Sequence, residues 1–337
     1  MADGADRIVA AALEETGAAR PAAGSRLATL RRLARSDAAF HALTMAAAYG
    51  VLLLLAGVIA SLAIGSIPAF QTFGVSFFTT QSWNPVTEKF GALAPVYGTL
   101  LTSVLALLFA APTGLGIAVF LTEICPRPLR RPIGVAVELL AGIPSIIYGV
   151  WGLFVLAPFV QAHVQPLLIA LFGPVPVLST LFAGPPYGVG VLTASFVLAI
   201  MVLPFITAIA RDVFETVPPM LRESAFGLGC TTWEVVRRVV IPYSRAGLVG
   251  GVMLALGRAL GETMAVTFVI GNAHKISGSM LAPGTTISAT IANEFTEAVG
   301  DTYTSSLIAL GLILFMITFA VLAAARFMLM RLERRAA

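Results

Sequence analysis

Long apolar stretches alternate along this chain with short polar segments that carry most of its arginines. Six of the stretches are long enough to cross a bilayer, whose hydrocarbon core of about 30 Å requires about 20 residues of helix. They lie at residues 40–67, 95–122, 133–160, 188–210, 246–271 and 305–327. Because lipid offers no hydrogen-bond partner to unpaired backbone groups, each stretch is predicted to be a helix. The pattern therefore predicts an all-α integral membrane protein with six transmembrane helices.

Composition agrees with this class. Of 337 residues, 58% are hydrophobic and 11% are charged, whereas soluble domains carry roughly 25% charged residues. The net charge of +4 does not indicate a nucleic-acid partner, because the arginines follow the membrane boundary. Cys125 and Cys230 lie far apart in the sequence and are predicted to be reduced thiols of minor structural importance.

The basic residues predict the orientation of the chain in the membrane. All of them except Lys89, Lys275 and Arg258 lie before the first stretch, between the second and third, between the fourth and fifth, or at and beyond the end of the sixth. The positive-inside rule then places these segments and both termini in the cytoplasm. The predicted organisation is a cytoplasmic tail at residues 1–39, a transmembrane domain at 40–330 and a cytoplasmic tail at 331–337. A basic amphipathic segment at 26–35 is interpreted as a lipid-surface anchor, with a regulatory docking role as the alternative.

One further apolar segment, at residues 166–186, is interrupted by four prolines. Its uninterrupted part is shorter than a membrane span, so we expect a re-entrant or interfacial piece rather than a seventh helix. A seventh helix would also reverse the orientation of everything after it and remove the asymmetry of the arginines.

The predicted cytoplasmic loop at residues 211–245 has a distinctive spacing of small residues. Ser224, Ala225 and Gly229 would let another backbone approach closely, and Gly229 would let the chain reverse after a helical turn. Thr231 or Thr232 is predicted to cap a following helix at 233–240. A proline at position 242 would then fix the entry into the fifth membrane helix.

The spacing of Glu223, Ala225, Gly229 and Pro242 resembles the EAA loop of ABC importer permeases, with Ser224 in place of an alanine. In that family the loop docks in a groove of a cytoplasmic ATPase and transmits its closure. Neither lysine of the chain lies in a Gly-x-x-x-x-Gly-Lys-Ser/Thr phosphate-binding loop. The resemblance therefore implies that ATP and Mg²⁺ are bound by a separate ATPase and that this chain holds no cofactor.

Two charged residues, Arg258 and Glu262, lie within the fifth apolar stretch. An arginine at mid-membrane costs about 2.5–3.5 kcal/mol on insertion scales. A spacing of four residues on a helix predicts that the two side chains share a face and can pair. One interpretation is a structural salt bridge. The other is that Arg258 faces a transport path and binds an anion, while Glu262 holds it in place.

A second candidate lies at the start of the third stretch. Pro144, with Gly142 and Ser145 beside it, predicts a kink in the helix. The freed backbone groups and the Ser145 hydroxyl could line a cavity, or the kink could serve packing alone. Glu138 is predicted to neutralise Arg130 or Arg131.

Residues 90–103, 120–127, 138–154 and 257–263 together resemble the PstC-type permeases of bacterial phosphate ABC importers, over most of the chain beyond residue 40. The resemblance implies the type I ABC importer permease fold, a multi-pass subunit of the bacterial inner membrane and inorganic phosphate as cargo. It implies three partners: a second permease (PstA type), an ATPase dimer (PstB type) and a periplasmic phosphate-binding protein (PstS type). The family's intramembrane arginine and glutamate correspond to Arg258 and Glu262.

Other functions remain open at this point. They are an importer permease for another anion, a secondary transporter driven by an ion gradient, and a membrane partner in phosphate signalling. An enzyme is not indicated, because His41, His163 and His274 are scattered, with no metal-ligand spacing and no nucleophile beside a base. Residues 71–90 and 272–303, with a predicted amphipathic helix at 285–299, are either a landing surface for a binding protein or solvated loops.

Overall fold

The computed structural model describes residues 23–334, with side chains described at residue 37 and over residues 39–176 and 178–331. Within that part of the chain the structure is helical, and the one strand-like pairing is an isolated bridge between Asn84 and Lys89. The predicted all-α class is confirmed. Contacts divide the chain into two units, Met1–Ser61 and Leu62–Ala337. Most of the predicted N-terminal tail lies outside the described residues, and the segment at 26–35 falls within a helix.

The helices follow one another with few long connections. Their bounds are Ala23–Phe73, Ser76–Thr79, Leu93–Val119, Arg127–Ala141, Ser145–Trp151, Ala157–Phe159, Gln165–Phe172, Pro176–Leu181, Val191–Glu215, Pro219–Gly227, Thr232–Val235, Ile241–Leu260, Met264–Ile270, Ile287–Glu294 and Asp301–Arg334. Four π-helical turns lengthen these helices. The turn Phe120–Ile124 extends the helix Leu93–Val119, and the turns Gly152–Leu156, Val160–Val164 and Val236–Val240 each join two helices.

Six of the resulting helices in residues 23–334 are long and apolar enough to cross a membrane. We call them spans one to six: Ala39–Phe73, Leu93–Ile124, Ser145–Phe172, Val191–Glu215, Thr232–Leu260 and Asp301–Arg331. The predicted number of transmembrane helices is confirmed.

The third span lies further along the chain than the predicted 133–160. Helix Arg127–Ala141 ends before Gly142, and span three begins at Ser145, because Pro144 takes an extended conformation (φ −56°, ψ 136°). Tyr148 bridges the break by donating a hydrogen bond to the Leu140 carbonyl (2.7 Å). What was predicted as a kink is therefore a complete interruption of the helix.

The proline-rich segment at 166–186 is divided between two structures. Its first residues complete span three, which runs to Phe172, because the π turn Val160–Val164 changes the bonding register just before Pro166, which has no amide to donate. The remainder forms the short helix Pro176–Leu181 and a loop. The loop is held to the segment before span six, since the Ser279 hydroxyl donates to the Ala183 carbonyl (2.6 Å).

Span four lies at the centre of the second unit, between spans two and five. Glycines bring the helices close: a Cβ on Gly114 would lie 3.0 Å from Ile206, and one on Gly251 would lie 2.6 Å from Ile209. Membrane helices associate through such small residues because lipid supplies no hydrophobic driving force between them. Span four is accordingly the most buried of the six. The neighbouring helices pack on it, and the loop after residue 215 begins at its end.

Candidate functional site

The predicted cytoplasmic loop forms a short helix, Pro219–Gly227, which we call the connecting helix. The chain reverses after it at Gly229, whose φ of +85° lies in the left-handed region. A Cβ at Gly229 would meet no atom within 4 Å. Glycine is therefore needed here for its backbone conformation, which side chains rarely adopt, and not for space. The reversal predicted at Gly229 is present.

Thr231 caps the helix that follows, which resolves the choice between Thr231 and Thr232. Its hydroxyl accepts from the Glu234 amide (3.4 Å), and the Glu234 carboxylate accepts from the Thr231 amide (2.9 Å). This reciprocal pair is a capping box.

Pro242 lies in the first turn of the α-helix Ile241–Leu260, but the fifth span itself begins earlier than the predicted 246, at Thr232. The helix is continuous from Thr232 to Leu260. A π turn at Val236–Val240 precedes the proline, and there the Ile241 amide reaches back to Val236. The wider turn changes the bonding register where Pro242 has no amide to donate, so the helix continues.

The residues of the motif divide between two faces of the connecting helix. Ala225 is 8% exposed and packs in an apolar cluster with Phe214, Val235 and Val240. Glu223 and Ser224 are exposed. The helix is thus fastened to the membrane helices through one side while Glu223 points away from them.

Three large apolar side chains of the same loop are also exposed. Met220 is 74% exposed, Leu228 86% and Trp233 65%. We call these three residues with Glu223 the outer face. Apolar groups grouped on a polar loop mark a surface for a protein partner.

Two residues that the sequence did not single out hold the connecting helix in place. Arg222 donates to the Phe214 carbonyl at the end of span four (2.6 Å) and pairs with Glu123 at the end of span two (3.2 Å). The Glu123 side chain is 7% exposed and that of Arg222 is 21% exposed. Their positions near the ends of apolar stretches were visible in the sequence, but nothing in it indicates that they meet.

Other arginines at the same ends of the helices are also engaged. Arg130 donates to the Thr122 carbonyl (2.6 Å). Glu138 pairs with Arg211 (2.7 Å) and not with Arg130 or Arg131 as predicted. Glu138 meets Arg211 because the chain breaks before Ser145. Helix Arg127–Ala141 therefore packs against span four instead of continuing into span three.

The predicted pair of Arg258 and Glu262 does not form. Span five ends at Leu260, so the two residues do not lie one turn apart on a single helix. The Glu262 carboxylate instead accepts from the Ala265 amide (3.2 Å), at the start of the seven-residue helix Met264–Ile270. Among the side chains that the structure describes, none bonds or pairs with Arg258, which is exposed in the single subunit.

The segments that carry Ser145 and Glu262 lie side by side. A Cβ on Gly149, one turn after Ser145, would lie 2.8 Å from the Met264 carbonyl oxygen and 3.2 Å from the Ala265 Cα. The helices Ser145–Trp151 and Met264–Ile270, each of which follows a break in a longer helix, therefore lie close together. Ser145 is half-buried at the first position of its helix. Arg258 lies just before the break that precedes Met264.

A separate aromatic cluster, formed by residues before span two and by residues before and at the start of span six, holds the segment between Gly271 and span six. Trp83 stacks on His274 (5.6 Å between ring centroids), and Phe90 stacks on Tyr303 (4.8 Å). Glu294 accepts a hydrogen bond from the Tyr303 hydroxyl and lies 3.7 Å from the His274 Nε2. The helix predicted at 285–299 spans Ile287–Glu294, and its last carboxylate is turned into this cluster rather than toward solvent.

We expect this cluster to lose stability in acid. Burial lowers the pKa of His274, against the opposing effect of Glu294. A histidine pKa held below its ordinary value of about 6.5 means that the folded state binds fewer protons than the unfolded state. Stability is then complete above that pH and falls as the pH is lowered through it. The melting temperature of the purified protein in detergent should fall more steeply between about pH 7 and pH 5 than that of His274→Gln. Equal slopes would contradict this assignment.

Six membrane helices, with an anchored loop that presents an apolar outer face, define a transport subunit that works with a soluble partner. The chain belongs to the family of binding-protein-dependent transport system inner membrane components, which matches residues 110–335. It is therefore a multi-pass subunit of the bacterial inner membrane, in a system that depends on a separate binding protein, and it is not itself an enzyme.

Relatives are similar over nearly the whole chain. The phosphate transport system permease protein PstC of Mesorhizobium japonicum is 72% identical over 311 residues, covering 92% of this chain and 95% of its own. The protein of the same name from Pasteurella multocida is 57% identical over 285 residues, covering 85% and 89%.

Solved structures confirm the predicted type I ABC importer permease fold. A subunit of a bacterial ABC transporter that imports the acidic polysaccharide alginate superposes with a TM-score of 0.60 at 18% identity, covering 90% of this chain and 99% of its own. The MetNI methionine ABC transporter in an inward-facing form gives 0.52 at 18% identity, covering 71% and 94%. At this identity the likeness concerns the fold alone.

Proposed function

We propose that this chain is a permease subunit of an ATP-driven importer of inorganic phosphate and forms half of its translocation path. The observation that carries the proposal is that Thr232–Leu260 is one helix, which joins the outer face of the cytoplasmic loop directly to Arg258. The relatives named as phosphate permeases support phosphate as the cargo. An importer of another anion is the nearest alternative, because an arginine alone does not choose among anions.

The proposed partners follow from the surfaces. The outer face would dock in a cytoplasmic ATPase dimer of PstB type, which binds the ATP and Mg²⁺. A second permease of PstA type would complete the path, and a periplasmic phosphate-binding protein of PstS type would deliver the cargo. This arrangement requires both termini in the cytoplasm, as the distribution of arginines indicates. The loop proposed for coupling spans residues 211–245, and the contact is assigned to the motif within it: Glu223, Ser224, Ala225, Gly229 and Pro242.

The proposed path contains Arg258, Glu262 and Ser145. Arg258 has the charge and the exposure to meet an anion with charge-assisted hydrogen bonds. Glu262 acts through the short helix that it caps, by fixing where the interruption of the helix falls. The half-buried Ser145 hydroxyl begins the neighbouring interrupted helix and is available as a neutral donor.

The proposed mechanism is alternating access. Loaded binding protein docks outside, and closure of the ATPase dimer on ATP moves the connecting helix. The continuous helix from Thr232 then tilts and carries Arg258 from a position open to the cytoplasm toward one open to the outside. Nucleotide release reverses the movement. A secondary transporter would need no such loop and no partner on it.

The test is uptake by the reconstituted importer. Vesicles that contain this chain with its partners should accumulate phosphate with ATP and binding protein present, and Glu223→Lys should lose most of the uptake together with the co-purified ATPase. The charge reversal introduces repulsion or an unpaired charge at the centre of the proposed contact. The matched control is Glu215→Lys, an exposed acid at the end of span four that lies outside the outer face.

Two outcomes would contradict the proposal. Uptake that persists without the ATPase would make the chain a secondary transporter. Equal retention of the ATPase in the Glu223→Lys and Glu215→Lys proteins would remove the outer face as the docking surface. Competition by other anions in the same vesicles decides whether phosphate is the preferred cargo.

A further inference from the structure

Arg222 connects the loop to two membrane helices at once. One nitrogen of its guanidinium, Nη2, donates to the Phe214 carbonyl at the end of span four (2.6 Å) and lies 3.2 Å from the Glu123 carboxylate at the end of span two. Spans four and five are joined covalently to the two ends of the loop. Span two is not, so its link to the connecting helix is made by non-covalent contacts alone.

The neighbouring residue faces the other way. Glu223 is exposed on the outer face, whereas Arg222 is turned toward the membrane helices. Consecutive residues on an α-helix point about 100° apart. A force applied to the outer face is therefore one residue away from the side chain that holds spans two and four.

The surroundings shield this contact from solvent. The Glu123 side chain is 7% exposed, and the apolar cluster that contains Ala118, Phe214 and Ala225 lies beside it. An ion pair in a low-dielectric environment is screened little by water or salt. Loss of either partner leaves the other charge buried without compensation.

Glu123 also lies on a segment suited to transmit movement. It belongs to the π turn Phe120–Ile124, and Arg130 fastens the same turn by donating to the Thr122 carbonyl (2.6 Å). π turns within helices are frequent at functional positions. Beyond the turn, span two packs against span four through Gly114, whose carbonyl accepts from the Thr207 hydroxyl (3.4 Å).

We propose that the Glu123–Arg222 pair is a positioning contact that transmits movement of the connecting helix to span two. The loop then drives spans two, four and five together, and the ATPase stroke is converted into transport only when span two follows. This inference rests on the proposed docking of the ATPase on the outer face. Without the pair, the ATPase would still bind and hydrolyse ATP, but span two would lag behind.

The experiment measures phosphate transported per ATP hydrolysed by the complete importer in vesicles. Glu123→Gln and Arg222→Gln should each lower this ratio by about tenfold, in the usual range of coupling between sites, with the ATPase still bound and hydrolysis retained. The reversed pair, Glu123→Arg with Arg222→Glu, should recover part of the ratio that both single variants lose. Arg222→Lys keeps the charge opposite Glu123, so its ratio of phosphate transported to ATP hydrolysed should be closer to that of the parent than the ratio of Arg222→Gln is.

The control is Glu138→Gln. It breaks another ion pair at the same ends of the helices, Glu138–Arg211 (2.7 Å), that does not involve the connecting helix. Its ratio should equal that of the parent protein. A merely structural role for Glu123 and Arg222 would lower uptake and hydrolysis in proportion and leave the ratio unchanged.

The proposal is overturned by a parent-like ratio in both single variants, or by Arg222→Lys behaving as Arg222→Gln does. Loss of the ATPase from the Glu123→Gln complex would also overturn it, because the pair would then shape the docking surface. Failure of the docking proposal itself is distinguishable, since it appears as retention of the ATPase by Glu223→Lys.

Discussion

Arg258→Gln should reduce phosphate uptake by about 10- to 100-fold while the importer still assembles. A hydrogen bond to a charged group is worth about 1.5–3 kcal/mol, and each 1.4 kcal/mol is about tenfold. Arg258 is exposed and bonds to none of the other side chains that the structure describes, at residue 37 and over 39–176 and 178–331, so its removal leaves none of these as a buried partner without its bond. The measurement is the initial rate of phosphate uptake in vesicles below saturation, with subunit content checked by co-purification.

Related variants separate the possible roles of the charge. Arg258→Lys keeps the positive charge but lacks the planar guanidinium group, so we expect its uptake to lie between that of the parent protein and that of Arg258→Gln. Arg245→Gln, on the same helix and also exposed, is the matched control and should keep its uptake. Failure of Arg258→Gln to assemble would instead support a structural role, and unchanged uptake would place Arg258 outside the path.

Glu262→Gln is informative because of its position at the helix interruption. Its amide oxygen can still accept from the Ala265 amide, so the short helix Met264–Ile270 keeps its cap. We therefore expect a smaller loss of uptake than for Arg258→Gln. If the two residues formed the functional pair suggested by their spacing, the two losses would be alike.

Gly229→Val should detach the ATPase and abolish coupled uptake. A left-handed backbone costs a non-glycine residue about 1–2 kcal/mol, and a β-branched residue is the least compatible with it. The reversal at φ +85° would open and shift the connecting helix away from the Thr231 cap. The fraction of ATPase that co-purifies should fall by about tenfold for each 1.4 kcal/mol that the rearrangement removes from binding.

The neighbouring glycine supplies the control for this prediction. Gly227 lies within the connecting helix, and a Cβ there would meet nothing within 4 Å. Gly227→Ala should be neutral or stabilising by about 0.5–1 kcal/mol, because alanine favours a helix. The fraction of ATPase that co-purifies with Gly229→Asn should lie between those of Gly229→Val and Gly227→Ala, since asparagine tolerates the left-handed region. Equal ATPase binding by Gly229→Val and Gly227→Ala would show that the reversal is unimportant.

The number and class of the helices could be predicted because the bilayer imposes one length and one composition on each span. The reversal at Gly229 and a cap at Thr231 or Thr232 were predictable for a similar reason: each is a local rule of backbone chemistry. These features depend on residues adjacent in sequence, and the structure has them where the sequence indicates.

The interruptions in the helices were not predictable in the same way. The fifth apolar stretch runs on past Gly261 to residue 271, so the apolar pattern extends the fifth span too far. In the third stretch the polar residues Gln161, His163 and Gln165 make the span appear to end too early. Spacing suggested that Glu262 would face Arg258, but spacing has this meaning only on an unbroken helix. The structural reason for the failure is thus the break after Leu260.

Ion pairs between helices were the least predictable feature. The end of span two carries Glu123 and the connecting helix carries Arg222, about a hundred residues apart, and helix Arg127–Ala141 brings Glu138 to Arg211. Several arginines lie at the same ends of the spans as Glu123 and Glu138, and the positive-inside rule does not distinguish among them. Which arginine meets which carboxylate depends on how the helix ends are packed, and a single sequence does not contain that information.

The uninterrupted helix from Thr232 to Leu260 behaves as a lever. With 29 residues and a rise of 1.5 Å per residue, it is about 40 Å long. A tilt of about 10° around its Thr232 end would sweep Arg258 sideways by about 7 Å, given that rise, which is more than twice the length of a hydrogen bond. A small rotation imposed at the loop is therefore sufficient to make or release an anion contact near the other end of the rod. Because the helix ends at Leu260, such a tilt would not have to carry the helix Met264–Ile270 with it as one rigid rod.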